Sequence, residues 1–290
     1  MKTHHHAERR TLAQPVEVRG AGLHTGEQCR VRLHPFEGGL VMQRNATRCP
    51  IRWDYVRHTQ RAVAIGNGDL TLGTVEHLLA AFWAMGITDC LVEVLEGVEV
   101  PALDGSALPF MEIIETAGGT CALATRHGAL SSGGVLPVME PVWVQVEDRA
   151  VGVLPGTPLA FGYIQFPSPL GVQVGCFDLH QFREQIAPAR TFGFLNEVES
   201  LRQQGLAQGG SLENVLLIAP NGYYNRARFE DEPLRHKVLD VIGDLMLCGA
   251  LLCGFTLVAI KSGHALDVQL AQAIAQRLPF WQARMEEQYG

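Results

Sequence analysis

The pentapeptide His236-Lys-Val-Leu-Asp240 carries two side chains able to bind metal, four residues apart. On a helix, positions i and i+4 share a face, so the imidazole and the carboxylate point the same way. Both suit zinc, and a catalytic zinc takes three protein ligands and leaves one position for water. The plainer reading is a surface His–Asp pair. A third ligand has to come from elsewhere, and His77 in Thr74-Val-Glu-His77 is the obvious donor. A lone histidine on an apolar helix is usually a satisfied core residue. Glu76 beside it, however, is the carboxylate that general-base chemistry at an activated water requires. The spacing is not HExxH, so that peptidase motif is absent. Lys261-Ser-Gly-His264 follows an apolar run and sets His264 on a glycine turn at a strand end, a position for a catalytic or a solvated histidine. Asp244, four residues past Asp240, shares that helical face; its charge would orient His264 and favour its protonated form.

These side chains need elements to hold them. Leu72–Gly86 reads as a helix capped by Thr74, with Leu78, Leu79, Phe82 and Trp83 as its apolar face and Gly86 as its stop. Cys90–Leu95 alternates as a half-buried strand. Pro15–Leu33 reads as two strands joined by the glycine-rich turn Gly20–Gly26. Glu112–Ala117 closes a second helix, and Phe177–Ile186 reads as another. A strong helical pattern starts near Glu232, and Phe255–Ile260 reads as a buried strand. Residues 118–160 are rich in Gly, Pro and Ser, which places a boundary there and predicts domains 1–119 and 120–290. Aligning Gly86 on Gly249 puts His77 on Asp240, with a valine-rich strand after each helix. Two similar units with facing helices would bring those side chains together; chance similarity is the alternative.

The 290 residues are 47% hydrophobic and only 18% charged, with a net charge of −7. Disordered, fibrous and coiled-coil proteins are excluded, and the acidic balance disfavours nucleic acid as a partner. The leader Met1–Arg10, with His4, His5 and His6, is neither a signal peptide nor a membrane anchor. The uncharged run Leu245–Ile260 is shorter than the ~20 residues a spanning helix needs, so it reads as core. The cysteines at 29, 49, 90, 121, 176, 248 and 253 are scattered and form no CxxC, which points to reduced thiols in a cytoplasmic protein.

Seven stretches in order carry a resemblance over residues 10–280: GAGLHTG (20–26), TVEHLLAA (74–81), VPALDGSALPF (100–110), ARTFGF (189–194), GLAQGGSLENVLL (205–217), RFEDEPLRHKVLDVIGDL (228–245) and KSGHAL (261–266). Together they resemble the UDP-3-O-acyl-N-acetylglucosamine deacetylases, zinc enzymes of lipid A synthesis in Gram-negative bacteria. The resemblance implies an α+β fold of two similar domains, each with helices layered against β-sheets and the active site between them. It implies Zn2+ on His77, His236 and Asp240, Glu76 as general base, and His264 as general acid with Asp244 behind it. Thr191 and Lys237 fall where the family stabilises the developing oxyanion. Phe192, Lys261 and Phe161 fall in regions that hold the sugar and UDP, and Gly210, Ser211 and Val215 in an apolar passage for the acyl chain. The implied partner is the small-molecule substrate alone, met by a cytoplasmic monomer without a stable membrane anchor. By residue type, Lys237, Lys261 and Arg190 are candidate cations for the diphosphate, and Phe192, Phe194 and Leu195 for an acyl groove. Two departures stand out: Arg57–Ala62 replaces a small polar or cysteine-containing stretch, setting Arg61 at the pocket rim, and segment 121–160 matches poorly. A hydrolase of another nucleotide sugar or N-acyl amine, and a silent binding protein on the same scaffold, are the rival readings. Iron is the rival metal at a His/His/Asp site.

Overall fold

The computed structural model describes residues 8–123 and 134–289; His4–His6 and residues 124–133 of segment 121–160 lie outside the described residues. Two five-stranded sheets repeat one topology. The first comprises β1 (Val16–Ala21), β2 (Gln28–His34), β3 (Leu40–Arg44), β4 (Thr47–Pro50) and β5 (Cys90–Glu96), in lateral order β1-β2-β5-β3-β4. The second comprises β6 (Val142–Val146), β7 (Arg149–Pro155), β8 (Leu159–Gln165), β9 (Val172–Asp178) and β10 (Phe255–Ile260), in order β6-β7-β10-β8-β9. In each, the last strand of the chain inserts at the centre, antiparallel to the second strand and parallel to the third. The sheets draw their strands from opposite sides of the Gly118-Gly119 break, so the fold is α+β with two sheet-rich halves of like design.

The helices repeat as well. Helix α1 (Glu76–Ala84) leads into β5 and α2 (Leu108–Thr116) follows it; α3 (Glu232–Leu245) leads towards β10 and α4 (His264–Ala275) follows it. Gly86 and Gly249, the two residues aligned above, both adopt positive φ (70° and 89°) and turn the chain off its helical path. Helices α1 and α3 pack on one another. Both are buried on nearly every side, as expected of an innermost layer. Leu234 and Val238 of α3 fill the space where Gly162 of β8 has no side chain, so α3 lies on the inner face of the second sheet.

Each half also carries a small three-stranded sheet between its fourth strand and its first helix. One is Val56–His58, Ala64–Asn67 and Leu70–Leu72; the other is Phe192–Phe194, Leu216–Ala219 and Gly222–Tyr223. These two sheets bring Arg61 and the Thr191–Phe194 stretch to the helical layer. Arg10–Leu12 pairs with Thr120–Ala122, and the halves are further tied by Trp83 Nε1 donating to Leu252 O at 3.1 Å.

Two local expectations are corrected, and one of the two readings of His264 is removed. Thr74 does not cap α1: its backbone is left-handed (φ 54°), and its hydroxyl donates to Glu99 Oε1 at 2.8 Å. Phe177 and Asp178 end β9, paired with Ala160 and Leu159, so that helical reading shrinks to the turns Leu179–Gln181 and Phe182–Gln185. The turn histidine is also not solvated: His264 opens α4 and is 7% exposed.

Candidate active site

Helix α3 presents His236 and Asp240 on one face, as the i,i+4 spacing requires, and α1 crosses it closely enough to add His77. The crossing depends on Gly243, where a Cβ would lie 2.1 Å from the carbonyl oxygen of Glu76. Nε2 of His236 lies 3.3 Å and Nε2 of His77 3.7 Å from Asp240 Oδ1. That oxygen is buried and accepts no hydrogen bond from the described residues, while Oδ2 accepts from Lys237 Nζ at 2.7 Å. His236 donates from Nδ1 to Ala189 O at 3.0 Å, which leaves its Nε2 lone pair aimed at the same point. Burial, reinforced by the charge of His236, lowers His77 to about 3, and burial likewise lowers His236. Burial alone would raise Asp240, but the charges of His236, Lys237, His264 and His77 outweigh it and hold the carboxyl well below the usual range. Two imidazoles whose burial disfavours the protonated form and a carboxylate with an orphaned oxygen therefore converge, a donor set that fits a divalent transition metal.

Glu76 stands beside this cluster, buried, with Oε2 accepting from Val63 N at 3.2 Å and Oε1 3.9 Å from His264 Nε2. Burial raises its carboxyl to about 8 against the opposing charge of His264, with Asp244 and Asp240 adding to the rise. A cation on the neighbouring ligands would act the other way. His264 is held from behind by a 2.7 Å hydrogen bond between Nδ1 and Asp244 Oδ2, so Nε2 faces Glu76. Burial, then the charge of Asp240, raises Asp244 well above the ordinary carboxylate range. Orientation of the ring is the part of Asp244's expected role that the geometry displays. Asp267 joins this pair: its carboxylate is fully buried, neither oxygen has a hydrogen-bond partner among the described residues, and it lies within 4.8 Å of Asp244 and His264.

These groups open into a chamber of about 580 Å³ whose walls include Glu76, His77, Thr191, Phe192, Lys237 and His264. A second chamber of about 270 Å³ adjoins it, walled by Phe194, Leu201, Leu206, Gly210, Ser211 and Val215 among others. The residues predicted for oxyanion and acyl chain are thus brought together. Phe161 and Lys261 are not: neither lines these chambers. Phe161 is 45% exposed on the outer face of the second sheet, and Lys261 Nζ bonds Asp148 Oδ2 at 2.5 Å. Leu195 lies outside both chambers as well.

Arg190 as a diphosphate cation is corrected. It is 5% exposed, and Nε donates to the fully buried Glu232 at 2.9 Å while Nη2 donates to Arg226 O at 2.7 Å. Glu232 also accepts from the backbone N of Arg190 and of Arg228, so this pair anchors the segment leading into Thr191 to the first turn of α3. Glu99 has a like role on the other half. It accepts from the backbone of His24 and Thr25 and from the Thr74 hydroxyl, fixing the glycine-rich turn against the start of α1. Glu99, Glu232, Gly243 and Asp267 were not singled out in the sequence; no local pattern marks them, since each acts on a partner supplied by tertiary contact.

A family profile described as LpxC: UDP-3-O-acyl N-acetylglycosamine deacetylase matches residues 9–276. Curated relatives carry the name UDP-3-O-acyl-N-acetylglucosamine deacetylase. One from Leptospira biflexa is 39% identical, with 93% of this chain and 90% of the relative aligned. One from a Nostoc species is 37% identical (91% and 97% aligned), and one from a Synechocystis species 39% (91% and 98%). With the profile spanning nearly the whole chain and these likenesses beside it, the chain belongs to the LpxC family.

Proposed function

We propose that the protein removes the N-acetyl group from UDP-3-O-acyl-N-acetylglucosamine, giving acetate and the free amine, as a step of lipid A biosynthesis. The observation that carries this reading is the convergence of Asp240 Oδ1, two imidazoles, Glu76 and His264 in one chamber with an apolar chamber beside it. The names of the relatives support the substrate. His77, His236 and Asp240 would hold zinc, which when bound supplies Lewis acidity that polarises a carbonyl and makes water acidic near neutrality.

Glu76 takes a proton from the attacking water as the new C–O bond forms at the acetamide carbon. Thr191 and Lys237 line the chamber where negative charge develops on the carbonyl oxygen, and donors of this kind are typically worth about 3 kcal/mol each. His264, held by Asp244, donates a proton to the nitrogen as the C–N bond breaks, so that acetate and a neutral amine leave. Phe192 flanks the sugar, and Gly210 and Ser211 line the passage for the acyl chain. Phe161 and Lys261 receive the UDP end from outside the chambers; Lys261 is next to Ser262, which lines the larger one.

A base and an acid with opposite required protonation states predict a bell-shaped pH dependence of kcat/KM. Glu76→Gln should abolish the acidic limb and His264→Asn the basic one, each with a large loss of rate. A flat profile from pH 5 to 9 in the unaltered enzyme would refute the assignment.

A further inference from the structure

The two chambers share six lining residues, Leu23, Arg61, Thr191, Phe192, Gly193 and Phe194. In the proposed substrate the acetamide and the 3-O-acyl ester sit on neighbouring sugar carbons. With the acetamide at the metal ligands and the chain in the apolar chamber, the ester carbonyl has to lie at that junction. An ester carbonyl is a hydrogen-bond acceptor, and moving it out of water without a donor is unfavourable. Among the shared residues only Thr191 and Arg61 carry a side-chain donor, and Thr191 is engaged by the reacting oxygen. Arg61 remains.

Its setting suits the task. Arg61 stands in the turn between Val56–His58 and Ala64–Asn67 with a left-handed backbone (φ 65°), a conformation costly for a side chain of its size and found disproportionately where function needs it. Its Nη2 lies 3.0 Å from Glu197 Oε2, which belongs to the other half and also lines the larger chamber. Both side chains are about half exposed, and such pairs contribute little stability, so the guanidinium can share or exchange this partner.

We propose that Arg61 is a specificity-determining residue that recognises the carbonyl of the 3-O-acyl ester where the two chambers meet. The inference rests on the deacetylase reading above and adds the group on the substrate that is read. A guanidinium offers several donors in a fixed fork, so one can bond the ester while another stays on Glu197.

The test compares the metal-loaded enzyme on UDP-3-O-acyl-N-acetylglucosamine and on its 3-O-alkyl ether of equal length, which lacks only the carbonyl. A hydrogen bond to a charged donor corresponds to a preference for the ester of about 10- to 100-fold in kcat/KM. Arg61→Met should bring that ratio to within about twofold of unity by lowering the ester rate alone, and Arg61→Lys should restore part of it. Glu197→Gln should keep the preference, because the donor remains. An unchanged ester-to-ether ratio in Arg61→Met, or equal loss on both substrates, overturns the proposal while leaving the deacetylase reading in place. Failure of the unaltered enzyme to release acetate from the ester overturns that reading, and this inference with it.

Discussion

Gly243→Ala is the smallest change that should separate folding from catalysis in this protein. The added methyl would sit 2.1 Å from the Glu76 carbonyl oxygen and 2.8 Å from its carbon. Carbon–oxygen contacts normally start near 3.3 Å, so α1 and α3 would have to part by about 1 Å at their crossing. Overpacking of this sort destabilises by about 1–3 kcal/mol, and the gain of helix propensity from Gly to Ala offsets roughly 1 kcal/mol of it. The protein should therefore fold, with a midpoint lowered by a few degrees. The site tolerates much less: metal–ligand distances are held to about 0.2 Å, and a misplacement of about 1 Å lowers rates on the order of 100-fold. His77 and Glu76 both ride on the displaced backbone. Urea unfolding, metal affinity by competition with a chelator, and kcat/KM should be measured on Gly243→Ala and on a control, Gly134→Ala, whose Cβ would meet none of the described residues within 4 Å. Wild-type metal affinity and rate in Gly243→Ala would refute the argument that this crossing sets the site.

Asp267 is raised to about 7, mainly by burial and then by the charge of Asp244. Between pH 4 and 7 the folded chain keeps this proton while the unfolded chain loses it, so the group lowers stability as pH rises through that window. Asp267→Asn should thus be more favourable to stability at pH 8 than towards pH 4, in urea titrations at several pH values; equal effects at pH 5 and 8 would contradict this. Glu232→Gln should destabilise by about 3 kcal/mol or more by leaving Arg190 unpaired, and Arg190→Met with Glu232→Leu should recover part of the loss. Phe194→Asp should raise KM for long-acyl substrates more than for short ones; an equal rise for both would remove the acyl groove from the account.

Much of the site was legible because helical periodicity fixes which side chains share a face. His236 and Asp240 follow from that rule alone, and the alignment of Gly86 on Gly249 correctly set His77 against Asp240. What escaped depends on partners remote in sequence. Arg190 beside Thr191 reads as a cation awaiting substrate, but its carboxylate lies 42 residues away on α3. Phe177–Ile186 has apolar spacing that suits a helix, yet the edge of β8 captures its first two residues. Gly243 looks like a weak spot in α3 until α1 is laid across it. His264 reads as a turn residue because the helix it opens begins with no recognisable cap.

That a metal on His77, His236 and Asp240 drives deacetylation is the proposal on which the other residue roles depend. Its most direct test is acetate release from UDP-3-O-acyl-N-acetylglucosamine by the purified protein as isolated, after chelation, and after return of one equivalent of zinc or iron, with Asp240→Ala alongside. Release should disappear on chelation, return with one equivalent of metal, and stay absent in Asp240→Ala. Undiminished release from protein shown to be free of metal, or no release from the folded, metal-loaded enzyme, would contradict it.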